Sequence, residues 1–197
     1  PAILLKVPVA ATGSGVADSA FFMVQSSAVA KLQILAPGEA ADPGSATGKR
    51  ACPPDCPRNW TAGVSSAVVV NAVDAYHNVV AAEQTNVYLL TGDSYDVQPS
   101  TLQLVAGATV FNFAMVTSSS WTIAAFSTTS YLASASTMVY VSVSSAARFL
   151  VILPGESFNP GECDHPAFCR PPTGVPGVSG SADFGDPGVR PSTAGAT

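Results

Sequence analysis

The sequence predicts an all-β protein made of tandem antiparallel β-sandwiches, and two observations lead to this prediction. Short runs of β-branched and aromatic residues alternate with clusters of Gly, Pro, Ser and Asp, and no segment has sustained helical periodicity. The block KLQILAPGEAADPG at 31–44 also returns as RFLVILPGESFNPG at 148–161, an offset of 117 residues that places Pro37 on Pro154. A block that recurs in this way indicates that one domain repeats along the chain.

The repeat divides the chain into three parts. Residues 1–30 are predicted to be the C-terminal strands of a preceding repeat, because 21–30 matches 138–147 at the same offset. Residues 31–147 are one complete repeat, and 148–197 begin the next one with a Pro/Gly-rich extended segment. Since the chain begins with Pro in mid-pattern, we expect it to be a piece of a larger protein.

Seven short strands are predicted within the complete repeat, at 31–36, 66–73, 85–90, 100–105, 109–116, 121–126 and 138–143. Turns are expected at Gly107 and at 118–120. Seven strands in a repeat of this length are typical of an Ig-like sandwich of two sheets. The long-range Cys–Trp–Cys framework of antibody domains is absent from the sequence.

Period-two alternation predicts which side chains of these strands point inward. Asn112 is expected to face away from the core. The inward set comprises Val68, Val70, Phe111, Phe113, Met115, Trp121, Ile123, Ala125, Val139, Val141 and Val143.

Composition excludes two classes of partner. Only 11% of the residues are charged, the net charge is −5 and there are eight Lys and Arg, so no cationic surface for nucleic acid or anionic lipid is expected. No apolar stretch approaches the roughly 20 residues of a membrane-spanning helix, so we expect no membrane insertion in this segment. So little charge reflects either a compositional bias or a surface covered by neighbouring chains or glycans.

The four cysteines form two local pairs, Cys52 with Cys56 and Cys163 with Cys169. Both pairs lie in a Pro-rich loop shortly after the second Pro-Gly, which we interpret as the same place in the repeat. Zinc is the alternative to disulfides, but His165 is the only histidine near a pair and no zinc spacing is present. Two loop-closing disulfides are therefore predicted, and they place the chain outside the cell or on its surface.

The long link between the first two strands, 37–65, contains no strand-like run and carries the first cysteine pair. It also contains Asn59-Trp60-Thr61, a legal sequon for N-glycosylation. Loops of this length are usually functional or disordered. We expect an ordered loop, stapled by its disulfide, with a glycan on Asn59.

The order of these motifs resembles the bacterial-type Ig-like repeats of large surface adhesins and other extracellular repeat proteins. The pattern V-x-V-x-A-x-D that begins at Val68 places Asp74 and Asn78 in the following turn, and Leu104, Gly107 and Phe111 match the fifth-strand signal. The cysteine pair and the Pro-rich insertion depart from simple bacterial versions. Together with the sequon they resemble repeats of algal extracellular filaments, such as the flagellar hairs called mastigonemes. The resemblance implies an extracellular structural role.

Patterns that could carry catalysis are weak. The segment 44–50, GSATGKR, has three residues between its glycines where a phosphate-binding loop has four, and no helix is predicted after it. His77 lies in a predicted turn held by the side chains of Asp74 and Asn78. We therefore expect no enzymatic activity and no cofactor.

Calcium remains an alternative at two places. Asp93 and Asp96 form either a turn or part of a calcium site. At the repeat junctions, calcium could be held by Glu39, Asp42, Glu156 and Asn159, although a dense acidic run is lacking.

Taken together, these patterns predict a structural subunit of an extracellular filament or surface appendage. Its partners would be other copies of itself or neighbouring filament chains, with glycans as possible further partners. The alternative is an adhesin-type binding array that contacts sugars or another cell. Residues 170–197 contain too few apolar groups to order themselves, so we expect them to be held by contacts outside their own sandwich.

Overall fold

The computed structural model describes residues 24–51, 59–146, 149–161 and 178–180, and these ranges contain strands and turns but no helix. The all-β class is therefore confirmed. The strands are β1 (Lys31–Leu35), β2 (Glu39–Ala41), β3 (Lys49–Ala51), β4 (Trp60–Thr61), β5 (Ser66–Val73), β6 (Asn86–Thr91), β7 (Leu102–Gln103), β8 (Ala108–Phe113), β9 (Ser120–Ser127), β10 (Ala135–Ser142), β11 (Glu156–Phe158) and β12 (Val178–Gly180).

Each of the seven predicted strands is present, with ends that differ by a few residues. They lie in two sheets. The smaller sheet has the order β1-β5-β8 and is antiparallel throughout. The larger has the order β4-β10-β9-β6-β7, in which only the β4–β10 pair is parallel. Two small hairpins, β2–β3 and β11–β12, complete the described structure.

The two sheets share one hydrophobic core, to which both contribute alternate side chains. The predicted inward faces are confirmed for most positions, which are buried. In β8, for example, Asn112 is exposed between buried Phe111 and Phe113. Val143 is an exception: β10 ends at Ser142, so this side chain lies outside the sheet and is exposed. The largest fully buried side chains are Trp60, Phe111, Leu89, Leu104, Met115, Ile123, Val68, Val70, Val73, Val87, Val139 and Val141.

Trp60 anchors the long link, residues 37–65, in the hydrophobic core. The prediction that 37–65 contains no strand is wrong, since β2, β3 and the two-residue β4 all lie within it. The Trp60 ring is 1% exposed and packs against Phe113 with ring centroids 5.0 Å apart. Its Nε1–H donates to the Val64 carbonyl at 2.7 Å, so the indole is buried without leaving a polar atom unpaired.

The turn predicted at Gly107 is confirmed. Ala106 and Gly107 both have positive φ, 51° and 76°, and Val105 forms a bridge with Ala108. Two successive positive φ values define a tight hairpin turn whose twist suits the strands that it joins. A side chain on Gly107 would overlap the Val80 carbonyl, which explains why glycine occupies this position.

Trp60→Ala is expected to reduce the free energy of unfolding by about 3–5 kcal/mol, because it leaves a cavity between the two sheets. The measurement is urea unfolding followed by far-ultraviolet circular dichroism. Val64→Ala, an exposed neighbour, is the control and should change the value by less than about 0.5 kcal/mol. A small effect of Trp60→Ala would show that β4 does not contribute to the core.

Candidate junction site and exposed sheet face

The two Pro-Gly-Glu blocks form the same backbone bracket. In the first block, Glu39 Oε2 accepts a hydrogen bond from the Ala36 N–H at 2.8 Å, and the Glu39 N–H donates to the Ala36 carbonyl at 2.9 Å. In the second, Glu156 Oε2 accepts from the Leu153 N–H at 2.9 Å and the Glu156 N–H donates back at 3.0 Å. The sequence repeat is therefore also a repeat of local structure.

Each bracket leads into a short antiparallel hairpin. The glycines have nearly equal φ values, 88° at Gly38 and 89° at Gly155, and the strands β2 and β11 begin at equivalent residues. The hairpin loops differ, because β2–β3 encloses residues 42–48 whereas β11–β12 encloses 159–177.

In chain order, Cys52 and Cys56 follow β3, whereas Cys163 and Cys169 lie between β11 and β12. At the offset of 117 residues Cys52 falls on Cys169. That the two pairs share a place in the repeat stays a prediction. All four cysteines lie outside the described residues, so the disulfides Cys52–Cys56 and Cys163–Cys169 remain predictions.

The second block is in contact with the end of the domain that precedes it. The Tyr95 hydroxyl donates to Asn159 Oδ1 at 2.8 Å. At Gly161, an added Cβ would overlap Thr117 Oγ1 and would lie 2.8 Å from the Tyr95 ring. We call Tyr95 and Thr117 the tail surface. The sequence pattern predicts neither residue. The signal that could have indicated this surface is Tyr95, an aromatic residue within an otherwise polar turn.

Asp93 fixes the tail surface. One of its carboxylate oxygens accepts from the Val116 and Thr117 N–H groups, both at 2.8 Å. The other accepts from the Thr117 hydroxyl at 2.8 Å and the Tyr95 N–H at 3.1 Å. Asp93 is 2% exposed, so a buried charge is compensated by four donors. This geometry is that of a turn anchor, the first of the two predicted alternatives.

Asp96 lies in the same turn but in a different environment. It accepts from the Thr91 hydroxyl at 2.5 Å and from Gln98 Nε2 at 2.6 Å. Burial raises the pKa of Asp96 to about 6, and the nearby Asp93 charge adds to this, whereas the hydrogen bonds from Thr91 and Gln98 oppose it. Burial therefore makes the ionised form of the Asp96 carboxylate unfavourable in the folded protein.

Asp74 plays the corresponding role at the opposite end. Its carboxylate accepts from the N–H groups of Tyr76, Asn78 and Ser27, each at 2.9 Å, and from the Asn78 side-chain amide. Burial alone would raise its pKa, but these hydrogen bonds outweigh burial and lower the pKa to about 2. The predicted polar turn is confirmed, and Ser27 ties the incoming chain segment to it.

The hairpin loop 42–48 covers part of the outer face of the smaller sheet. Gln33 Nε2 donates to the Gly48 carbonyl at 2.7 Å, and Gln33 Oε1 accepts from Asn71 at 3.0 Å. His77, with a φ of 67°, stacks over Gly48, where a Cβ would overlap the imidazole. Burial lowers the pKa of His77, and the Lys31 charge lowers it further, while Asp74 opposes both. His77 therefore belongs to a packed turn.

Lys49 belongs to the same hairpin rather than to a phosphate-binding loop. Its ammonium group lies 2.9 Å from Glu39 Oε1 and also donates to Thr137 Oγ1 at 3.2 Å. The strand β3, not a helix, includes this residue. The lysine side chain is thus engaged within the fold.

The side chains of three of the four residues predicted for junction calcium have hydrogen-bond partners within the fold. Glu39 and Glu156 each bind their own bracket, and Asn159 accepts from Tyr95. No group of three or more His, Cys, Asp or Glu side chains converges anywhere in the described ranges.

The larger sheet presents an outer face without charge. None of its five strands contains Asp, Glu, Lys or Arg. Tyr88 and Phe126 stack on this face with ring centroids 5.4 Å apart. Leu90, Met138 and Tyr140 are exposed further along the same face, where Leu90 lies opposite Ala124, Met138 opposite Thr122 and Tyr140 opposite Ser120. We call Tyr88, Phe126, Leu90, Met138 and Tyr140 the sheet face, and such an apolar surface is typical of interaction sites.

Asn59 is exposed immediately before buried Trp60, so the sequon asparagine reaches the surface. Of the segment 170–197, the structure describes Val178–Gly180, which pairs with β11. The prediction that this segment needs outside contacts therefore falls mainly on residues outside the described ranges.

No family model and no curated protein matches this chain. In the part of the chain that the structure describes, no helix is long and apolar enough to cross a membrane. What the geometry defines is an all-β domain with a shared core of two sheets, anchored turns at both ends and a second copy of its own glutamate bracket.

The Asp96 pKa predicts a pH dependence of stability. Because the pKa is raised from 3.8 to about 6 on folding, the folded state binds this proton more tightly than the unfolded state. The contribution of protonated Asp96 to the free energy of unfolding is full below about pH 4, and it is lost as the pH rises to about 6.

Asp96→Asn is therefore expected to stabilise the chain relative to wild type above pH 6, by about 1.4 kcal/mol for each unit of raised pKa. Urea unfolding at pH 4, 5, 6 and 8 measures this, with the difference at pH 4 as the baseline. A difference that does not grow with pH would contradict the assignment.

Proposed function

We propose that this chain is part of a structural array of Ig-like sandwiches, which spans distance in an extracellular filament or surface appendage. The single observation that carries the proposal is the repeated block. Glu156 rebuilds the bracket of Glu39, and the turn that follows is in contact with Tyr95 and Thr117 at the end of the preceding domain. Domains joined in this way form a linear series.

A second observation supports a following sandwich. Residues 149–153 align with 32–36, which comprise the rest of β1 and Ala36, in the first block. Leu32 and Ile34 of β1 are buried, whereas the equivalent Phe149 and Val151 are 102% and 76% exposed. An apolar segment of this kind is satisfied when it pairs in a sheet. In the proposed array, residues 149–153 are the first strand of the next sandwich.

The sheet face supports lateral contacts within a filament. Exposed Leu90, Met138 and Tyr140 favour contact with other copies or with neighbouring filament chains, because an uncharged apolar surface is poorly suited to water. In this proposal, glycans would cover the parts of the sheet face that neighbouring chains do not contact. The proposal includes no catalytic role, no cofactor and no nucleic-acid partner.

The resemblance to repeats of extracellular algal filaments such as mastigonemes fits this proposal, as do the expected disulfides and the exposed Asn59. They support an extracellular location, because disulfides persist in oxidising compartments.

An adhesin-type array remains the second candidate, and one observation favours it. Tyr88 and Phe126 form a stacked aromatic pair on the sheet face. Aromatic rings on the outer face of a sheet can stack on the apolar faces of sugars. In that case the sheet face would contact glycans of another cell rather than a neighbouring chain.

Immunogold electron microscopy with an antibody to residues 31–147 tests the proposal on native material. We expect label at regular intervals along an extracellular filament. Sugar binding by the isolated chain, lost in Tyr88→Ala, together with label on the cell surface but on no filament, would contradict the filament and favour the adhesin. Antibody absorbed with the chain serves as the control.

Asn59 is expected to carry an N-glycan in the protein isolated from its natural source, because its side chain is exposed ahead of the anchored Trp60. Peptide mapping before and after glycosidase treatment measures occupancy. Thr61→Ala, expressed in a glycosylating host, removes the sequon and is the matched control. An unmodified Asn59 in the native protein would contradict this prediction.

A further inference from the structure

The first and second blocks contain the same turn in different surroundings. Pro43-Gly44 and Pro160-Gly161 follow the brackets at equivalent positions, and the glycines have φ values of 84° and 91°. Asp42 stands where Asn159 stands, so both turns place a side-chain oxygen acceptor two residues before the glycine. We call residues 42–44 the head turn.

In the second turn the glycine lies against other residues, whereas in the head turn the glycine is open. Gly161 lies against Thr117 and the Tyr95 ring, and Asn159 accepts the Tyr95 hydroxyl hydrogen bond. At Gly44, an added Cβ would meet no atom of the described residues within 4 Å. Gly44 is exposed whereas Gly161 is half-buried, and the prolines of both turns are exposed.

The head turn is nevertheless held in the conformation that the tail surface receives. The Gly44 N–H donates to the Tyr76 carbonyl at 2.8 Å, and Ser45 Oγ donates to the Asp42 carbonyl at 2.8 Å. The tail surface is equally fixed, because Asp93 binds both Thr117 and the Tyr95 backbone. Two preorganised surfaces associate with little loss of conformational entropy.

We propose that the head turn is the docking surface for the tail surface of another copy of this domain, with Asp42 accepting the hydrogen bond of the incoming tyrosine hydroxyl. The inference rests on the proposed array, in which that copy is the preceding repeat. The contact joins two different surfaces, so its repetition builds an open linear series rather than a closed dimer.

In the chain itself, residues 159–161 lie against the tail surface. The experiment therefore begins with a variant in which these residues are displaced from it. Gly161→Val places a side chain where Thr117 and the Tyr95 ring lie and displaces the second turn. This variant should then associate head to tail, which is measured by sedimentation up to about 1 mM, the effective concentration that a short linker provides within one chain. The amide resonance of Gly44 should shift as the concentration increases, and wild type should associate less.

Gly44→Val added to Gly161→Val is the matched control, because both substitutions impose the same left-handed strain. The double variant should remain monomeric. Asp42→Ala in the Gly161→Val background should weaken association about fivefold, as expected for one hydrogen bond, whereas Asp42→Asn should retain it because asparagine serves in the second turn. Circular dichroism checks that each variant is folded.

Two results would overturn the inference. One is a Gly161→Val chain that stays monomeric at about 1 mM with an unshifted Gly44 resonance. The other is a double variant that associates equally well, which would assign association to the sheet face. Neither result bears on filament labelling by the antibody, so failure of the docking surface is distinguishable from failure of the proposed function.

Discussion

The ends of this domain depend on buried carboxylates that bind backbone amides. Asp93 holds the turns that carry Tyr95 and Thr117, and Asp74 holds the turn that receives Ser27. Each carboxylate offers several acceptor positions, and each is filled by N–H or O–H donors that irregular backbone would otherwise leave unpaired. The loops at both ends are therefore as well defined as the sheets, and this definition makes a fixed joint between domains physically reasonable.

The strands that form the core could be predicted because their alternation is local. β5 and β8 follow directly from the buried positions Val68, Val70 and Phe111. β4 could not be predicted, because a two-residue strand has no period and Trp60 is identified only by what it contacts across the chain. The tail surface was missed for the same reason: its partner lies in the next repeat, 64 residues beyond Tyr95.

The two hairpins show which parts of the repeated block determine its shape. Among the described residues the Lys49–Glu39 ion pair has no counterpart at Glu156, and Val178 occupies the pairing position of Lys49 in the second hairpin. The glutamate bracket and the positive φ of the glycine are repeated. Backbone geometry therefore defines the block, while the ion pair adds a contact specific to the first copy. A sequence search that weights the ion pair would miss the second copy.

The exposed apolar segment 149–153, the first strand of the next sandwich in the proposed array, has a consequence for synthesis. During translation, Phe149 and Val151 leave the ribosome before the remainder of the sheet that would cover them in the proposed array. Each domain would therefore complete itself while exposing the first strand of its successor, and that strand could pair wrongly with a nascent neighbour. In the proposed array, a long chain of such domains would depend on chaperones during synthesis, and the rate of elongation would set how long each strand remains uncovered.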